Sequence, residues 1–180
     1  MLEVAATMMR EPLHITVKRN EHPLAGIEQS YIVVETDGAK LDILSELYEK
    51  SALSGGVIFR NNRRTLEWLE QKFTTRALAI FAMHGDMDAI DRADIQKNFR
   101  SSASHVLHAT QMLARGMDTE QMTVIVNFDL PANPGQYVHH TGLGHRPNRR
   151  STVINLVTVD DVPRVHEIEQ FYDPQIEQRQ

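Results

Sequence analysis

Arginines and asparagines in this sequence gather just after short apolar runs. Residues 57–59 are followed by Arg60-Asn61-Asn62-Arg63-Arg64. Asparagine caps helix starts, whose unpaired amides attract anions. Guanidinium groups match phosphate oxygens. The run therefore suits a phosphate-bearing ligand, and equally a solvated helix start with its arginines in water. After residues 77–83 come His84-Gly85-Asp86-Met87-Asp88. Gly85 permits a tight turn and Asp88 can cap the next helix. Arg92, one turn further on, can reach a ligand lying over that helix start; a plain capped turn accounts for the same residues. Residues 105–109 lead into Thr110, Gln111, Arg115, Gly116 and Asp118. There Gly116 lets backbone amides approach a ligand, and Asp118 can accept from sugar hydroxyls. Asn127-Phe128-Asp129-Leu130-Pro131 ends the following run.

Residues 137–146 hold His139, His140 and His145 with Gly142, Gly144 and Arg146, and Arg149 and Arg150 follow. A zinc site from the three histidines is the sharper reading. Adjacent histidines do not easily chelate one ion from a regular helix or strand, and no cysteine helps. In a chain with 9 histidines, a chance cluster is the simpler account, and no metal is expected. G-x-S-x-G, H-E-x-x-H and G-x-x-x-x-G-K-[ST] are all absent, so neither a nucleophile elbow nor the usual triphosphate cradle is present.

The elements that must carry these loops follow from periodicity. Strands are expected at residues 31–34, 57–59, 77–83, 105–109, 123–126 and 153–157. Helices are expected at residues 39–50, 65–73, 88–99 and 160–171, with a short helical turn at 112–115. Pro12 and Pro23 bracket a strand-like run at residues 13–17, and residues 1–27 read as a linker or arm. Short apolar strands alternating with helices of ten to twelve residues give the βαβ rhythm of a mostly parallel sheet covered on both faces. Right-handed crossovers then align all strand C-terminal ends along one edge, where ligands bind. The loops named above, and residues 137–150, lie at that edge.

The chain has 180 residues, with 41% hydrophobic and 24% charged. That is enough for one domain with a sizeable core. No apolar run approaches the roughly 18 residues that span a bilayer, so no membrane partner is expected. No signal peptide is read at the start. Cysteine is absent, which removes disulfides and thiolate ligands. The net charge is −5, a field that does not attract nucleic acid, so any RNA contact must be local.

Taken in order, the loops resemble the second, C-terminal half of a DEAD-box RNA helicase. Residues 57–59 with Asn61, Arg63 and Arg64 resemble motif IV. His84-Gly85-Asp86-Met87 with Arg92 resembles the HGDM segment. Ala114-Arg115-Gly116-Met117-Asp118 matches the ARGxD core of motif V, and residues 127–131 resemble NYDLP. Tyr137, His139, Gly142 and Arg146 are what remains of motif VI, HRxGRxGR. Leu2-Glu3-Val4, Arg10-Glu11-Pro12, Trp68-Leu69 and Ile168-Glu169-Gln170-Phe171-Tyr172 look most like the initiation-factor-four-A branch, with the exon-junction paralogue next. The resemblance implies a RecA-like three-layer α/β/α domain over residues 28–174, with 1–27 as linker and tail of a preceding domain and 175–180 as a tail.

It further implies that Asn61, Arg63, Gly85, Arg92, Thr110 and Gly116 contact the backbone of single-stranded RNA. Asp118 would meet an ATP ribose and Arg146 the γ-phosphate, as the surviving catalytic arginine. ATP and Mg would be held only together with a first RecA-like domain carrying the Walker A and DEAD sequences. This chain alone holds neither, and is expected to be inactive as an ATPase and a weak RNA binder. A helical-repeat scaffold protein of the initiation machinery is an implied partner. The implied location is cytoplasmic, or nuclear for the exon-junction type. The chain is expected to be an excised fragment or else a short gene product.

Departures from the family pattern fall on the nucleotide side. His140 and Leu143 stand where motif VI has arginines, and His145 where it has glycine. Gln111 replaces the aspartate of motif V, and Ala89 a glutamine. Loss of an arginine finger costs orders of magnitude in phosphoryl-transfer rate. The alternative reading is therefore a catalytically degenerate domain that binds RNA or a scaffold protein.

Overall fold

The structure is a computed structural model. It describes residues 26–50, 52–53, 55–61, 63–75, 80–101, 106–110, 122–144, 150–172 and 175–179, the side chains of Arg63, Thr65, Leu66, Thr75 and Tyr172 excepted. The arm at residues 1–25, the turn at 112–115, and Gly116, Asp118 and Arg146 lie outside the described residues.

Seven strands and five α-helices are described: β1 Ile27–Val34, α1 Asp37–Glu49, β2 Val57–Arg60, α2 Arg63–Thr75, β3 Ile80–Met83, α3 Ala89–Ser101, β4 Val106–Thr110, β5 Val124–Asn127, α4 Pro134–Gly142, β6 Ser151–Thr158, α5 Val162–Tyr172 and β7 Glu177–Arg179. The helix starts are written locally. Thr36, in extended backbone, caps α1 by accepting from the Ala39 amide at 3.2 Å. Asp88 Oδ1 accepts from the amides of Ile90 and Asp91 at 2.8 Å each and starts α3. Asn133 accepts from the Gln136 amide at 3.0 Å, with Pro134 next in the first turn of α4. Each such cap satisfies amides that a helix cannot pair internally.

The strands order as β3-β4-β2-β5-β6-β1-β7, and every neighbouring pair is parallel. β2 and β4 are buried along their whole length, as strands covered on both faces must be. Alternation then sorts the side chains. Ile58, Val106, Val126, Ile154 and Leu156 pack against Leu41 and Leu44 of α1 and Leu69 and Phe73 of α2. Val57, Phe59, Leu107, Ile125 and Val153 face the opposite way, onto Ile95 and Phe99 of α3. On that same face Tyr31 and Val157 meet Tyr137 of α4 and Val165 and Ile168 of α5. The three layers expected from the sequence are thus observed. Truncating Leu69, which is fully buried, would cost about 2–5 kcal/mol.

Two glycines have steric reasons. Gly55 adopts φ 67°, the left-handed region. At Gly56 a Cβ would sit 2.8 Å from the Leu53 carbonyl oxygen, so the entrance to β2 admits no side chain.

The structure corrects the reading of residues 137–150 as a loop: Pro134–Gly142 is helix α4. A polar edge strand, β7, pairs with β1 near the C-terminus. Most expected strands and helices are found with shifted ends. Thus β1 starts at Ile27 rather than residue 31, and a 3-10 turn at Val159–Asp161 precedes α5.

Candidate nucleic-acid interface at the strand ends

Because β3, β4 and β2 are consecutive in the sheet, their C-terminal ends lie side by side, about 5 Å apart strand to strand. Gly85 follows β3 and Thr110 ends β4; Asn61 follows β2 and Arg63 opens α2. The topology therefore brings Asn61, Arg63, Gly85 and Thr110 to one edge. Arg92 sits on the first turns of α3 next to the β3 turn. That turn is closed by the Met87 amide donating to the His84 carbonyl at 3.2 Å. Arg92 Nε donates to the Asp88 carbonyl at 3.2 Å, which holds its guanidinium near the helix start. Asn61 and Arg64 are exposed.

Thr110 is the most informative of these groups. Only 7% of it is exposed, and its hydroxyl finds no hydrogen-bond partner among the described residues. A buried hydroxyl left unpaired at a strand end is costly unless a ligand or water meets it. By strand order Thr110 stands between Gly85, after β3, and Asn61, after β2, so the three positions make a short row along the edge. Such a row can accompany a sugar–phosphate backbone without touching bases.

Next to this row the chain builds a buried polar network that the sequence reading missed. Asn127 and Asn155 are register partners on β5 and β6, both fully buried. Asn127 Nδ2 donates to Asn155 Oδ1 at 2.8 Å. Asn155 Nδ2 donates to the Ser30 carbonyl at 2.9 Å and to the Tyr137 hydroxyl at 3.2 Å. Tyr137 in turn donates to Gln29 Oε1 at 2.8 Å. Burial pushes the Tyr137 phenol up to about 12, against a smaller opposing pull from the hydrogen bond it accepts from Asn155. His140 joins through Nδ1, 3.2 Å from Asn127 Oδ1. In the sequence, Asn127 ends one largely apolar strand and Asn155 lies within another, a pattern that does not by itself mark either as buried.

On the opposite face, Arg60 and His108 are buried at 1% and 0% exposure. Arg60 Nε lies 3.1 Å from Asp129 Oδ2. Its guanidinium carbon sits 3.9 Å from the Phe128 ring centre and 5.7 Å from that of Trp68. Burial lowers the Arg60 pKa, and Asp129 and then Asp37 pull it back up. The His108 pKa falls to about 3, first through burial and then through Arg60. Neither ring nitrogen of His108 has a hydrogen-bond partner among the described residues.

Motif VI does not present its expected chemistry in the described residues. His140 is buried, and Leu143 packs against the core beside Ile125 and Val153. Between Pro134 and Gly144 there is no arginine or lysine. The described part of this segment therefore does not fit a triphosphate. Among the described residues no group of three or more His, Cys, Asp or Glu side chains could hold a metal ion.

Comparison with known proteins gives a consistent placement. The chain is 51% identical to the ATP-dependent RNA helicase eIF4A of Neurospora crassa, over 98% of this chain and 45% of that protein. It is 50% identical to the Aspergillus fumigatus eIF4A, over 98% and 44%. The chain spans about half the length of the curated relatives it matches. Among solved structures, S. cerevisiae Dbp5 bound to RNA and ADP BeF3 superposes with a TM-score of 0.88 at 26% identity, covering 99% of this chain and 48% of Dbp5. The isolated C-terminal domain of the DEAD-box protein Dbp5 gives 0.75 at 28%, covering 85% and 89%. The RecA-like layering is therefore that of DEAD-box proteins. The family described as helicase conserved C-terminal domain matches residues 39–148, and the chain belongs to it.

Proposed function

We propose that this chain is the second domain of a DEAD-box RNA helicase of the initiation-factor-four-A type, and that it grips single-stranded RNA by its backbone. The observation that carries this reading is the row at the ends of β2, β4 and β3, with the Thr110 hydroxyl buried and without a hydrogen-bond partner among the described residues. Asn61, Arg63, Gly85, Arg92, Thr110 and Gly116 are assigned to the RNA backbone. ATP and Mg belong to a first domain; Asp118 would take the ribose and Arg146 the terminal phosphate. The relatives' names support translation initiation in the cytoplasm as the setting. A scaffold partner is supported by a Dbp5 C-terminal domain structure with Gle1 and IP6 bound.

A second reading is favoured by one observation: His140 and Leu143, at the arginine positions of motif VI, are turned into the core. In that reading the domain binds RNA or a scaffold and contributes little to hydrolysis.

Fluorescence anisotropy with labelled oligouridine and mixed-sequence RNA tests the proposal. Weak binding that is equal for both sequences, and falls steeply between about 50 and 200 mM salt, is expected. Binding confined to one sequence, or none at low salt, would refute it.

A further inference from the structure

Arg60 is the largest fully buried side chain described. At 1% exposure it cannot itself touch RNA. As core filler it is poorly chosen, because its Nη1 has no hydrogen-bond partner among the described residues, and an apolar side chain of similar volume would avoid that cost. What it does hold is Asp129, whose Oδ2 lies 3.1 Å from Arg60 Nε. The same oxygen accepts the backbone N–H of Asn61 at 2.9 Å. One carboxylate oxygen therefore ties the last residue of β2 to the first residue beyond it. Asp129 is fixed from its own side as well, since the amides of Phe128 and Asp129 both donate to the Phe59 carbonyl. The guanidinium also reaches α2, through the ring of Trp68.

We propose that Arg60 is a positioning residue which, acting through Asp129, holds the Asn61 backbone and the start of α2, where Arg63 stands in the sequence, in place against an RNA phosphate. The inference rests on the RNA-backbone reading above. It assigns to a buried side chain a role in binding that no exposure argument would give it.

The test uses the 180-residue chain with two variants. Arg60→Met removes the charge. Asp129→Glu keeps a carboxylate for Arg60 but moves its oxygen away from the Asn61 amide, which covers the case in which Arg60→Met does not fold. Hydrogen exchange at the Asn61 amide is compared with exchange at Leu107 in the core. RNA affinity is measured with a labelled oligouridine of about 12 nucleotides across the salt series. In each folded variant, Asn61 exchange is expected to rise about tenfold relative to Leu107. RNA affinity should fall about tenfold, and the salt slope should drop by about one, as for a lost phosphate contact. Arg60→Lys, which retains a cation beside Asp129, is expected to recover most of the affinity. Wild-type affinity and slope in Asp129→Glu or Arg60→Met would overturn the inference and leave the RNA reading standing. Failure of the wild type to bind RNA would overturn both.

Discussion

The imidazole of His140 lies almost flat on the ring of Phe59, with centroids 4.2 Å apart and planes 22° apart. This contact joins α4 to the centre of the sheet. It gives the residue at an arginine position of motif VI a structural occupation. A guanidinium introduced there must displace the stack and lose the contact with Asn127. His140→Arg is therefore expected to lower stability by about 2 kcal/mol, through a charge buried without a partner. Leu143→Arg, at a half-buried site, should cost less than 1 kcal/mol or so. Urea unfolding of the two variants checks the order; equal losses would contradict it.

His108 makes stability depend on acid. Its folded-state pKa is depressed to about 3 from an ordinary 6.5, so between those values the unfolded chain binds the extra proton. Stability is fully present above about 6.5 and falls as pH drops toward 3, with a slope of up to about 1.4 kcal/mol per pH unit from this group. His108→Leu should flatten that slope. It should also stabilise the protein by about 1–3 kcal/mol at neutral pH, because it removes two buried nitrogens that have no partner among the described residues. Urea midpoints measured across this pH range decide the matter. Loss of stability at pH 7 in the leucine variant would show that His108 has a partner.

Tyr137 acts at the other end of the scale. Its folded pKa lies above the ordinary phenol value of 10, at about 12. Its contribution is complete below pH 10 and is lost as pH rises through 12. Tyr137→Phe leaves Gln29 Oε1 without this donor and should cost about 1–3 kcal/mol at neutral pH. Ultraviolet titration should show one phenol ionising last, and that component should vanish in the phenylalanine variant.

Asp129→Asn is expected to be among the more damaging polar substitutions, at about 3 kcal/mol or more, because Arg60 is left buried without its counter-charge. Removing both charges, in Arg60→Met with Asp129→Asn, should be milder than Asp129→Asn alone. A double-mutant cycle by chemical unfolding measures this coupling.

These sites show where sequence reading succeeds and where it stops. The order of strands and helices was legible because β2, β4 and β5 are short apolar runs and α1 and α2 repeat their apolar residues at helical spacing. The cap at Asp88 could be read directly. Helix α4 was hidden because its histidines and Gly142 suggested a loop, although Asn133-Pro134 is a helix-start signal. Strand β7 is polar and exposed, so it carries no periodicity at all. Arg60, His108, Asn127 and Asn155 were hidden for a deeper reason. Polar residue types read as surface, and only the register of the sheet reveals that these four point into the layers. The Asp129 link between Arg60 and Asn61 crosses 68 positions of sequence and could not be inferred from spacing.

The most direct test of the central claim is reconstitution of the two-domain clamp. This chain is mixed with a separately produced first domain of an initiation-factor-four-A-type helicase, labelled single-stranded RNA, and a non-hydrolysable ATP analogue. The account predicts that RNA binding by this chain tightens about tenfold or more when the first domain and nucleotide are both present, and that Asn61→Asp or Thr110→Val abolishes the gain. RNA affinity unaffected by the first domain and nucleotide would contradict it.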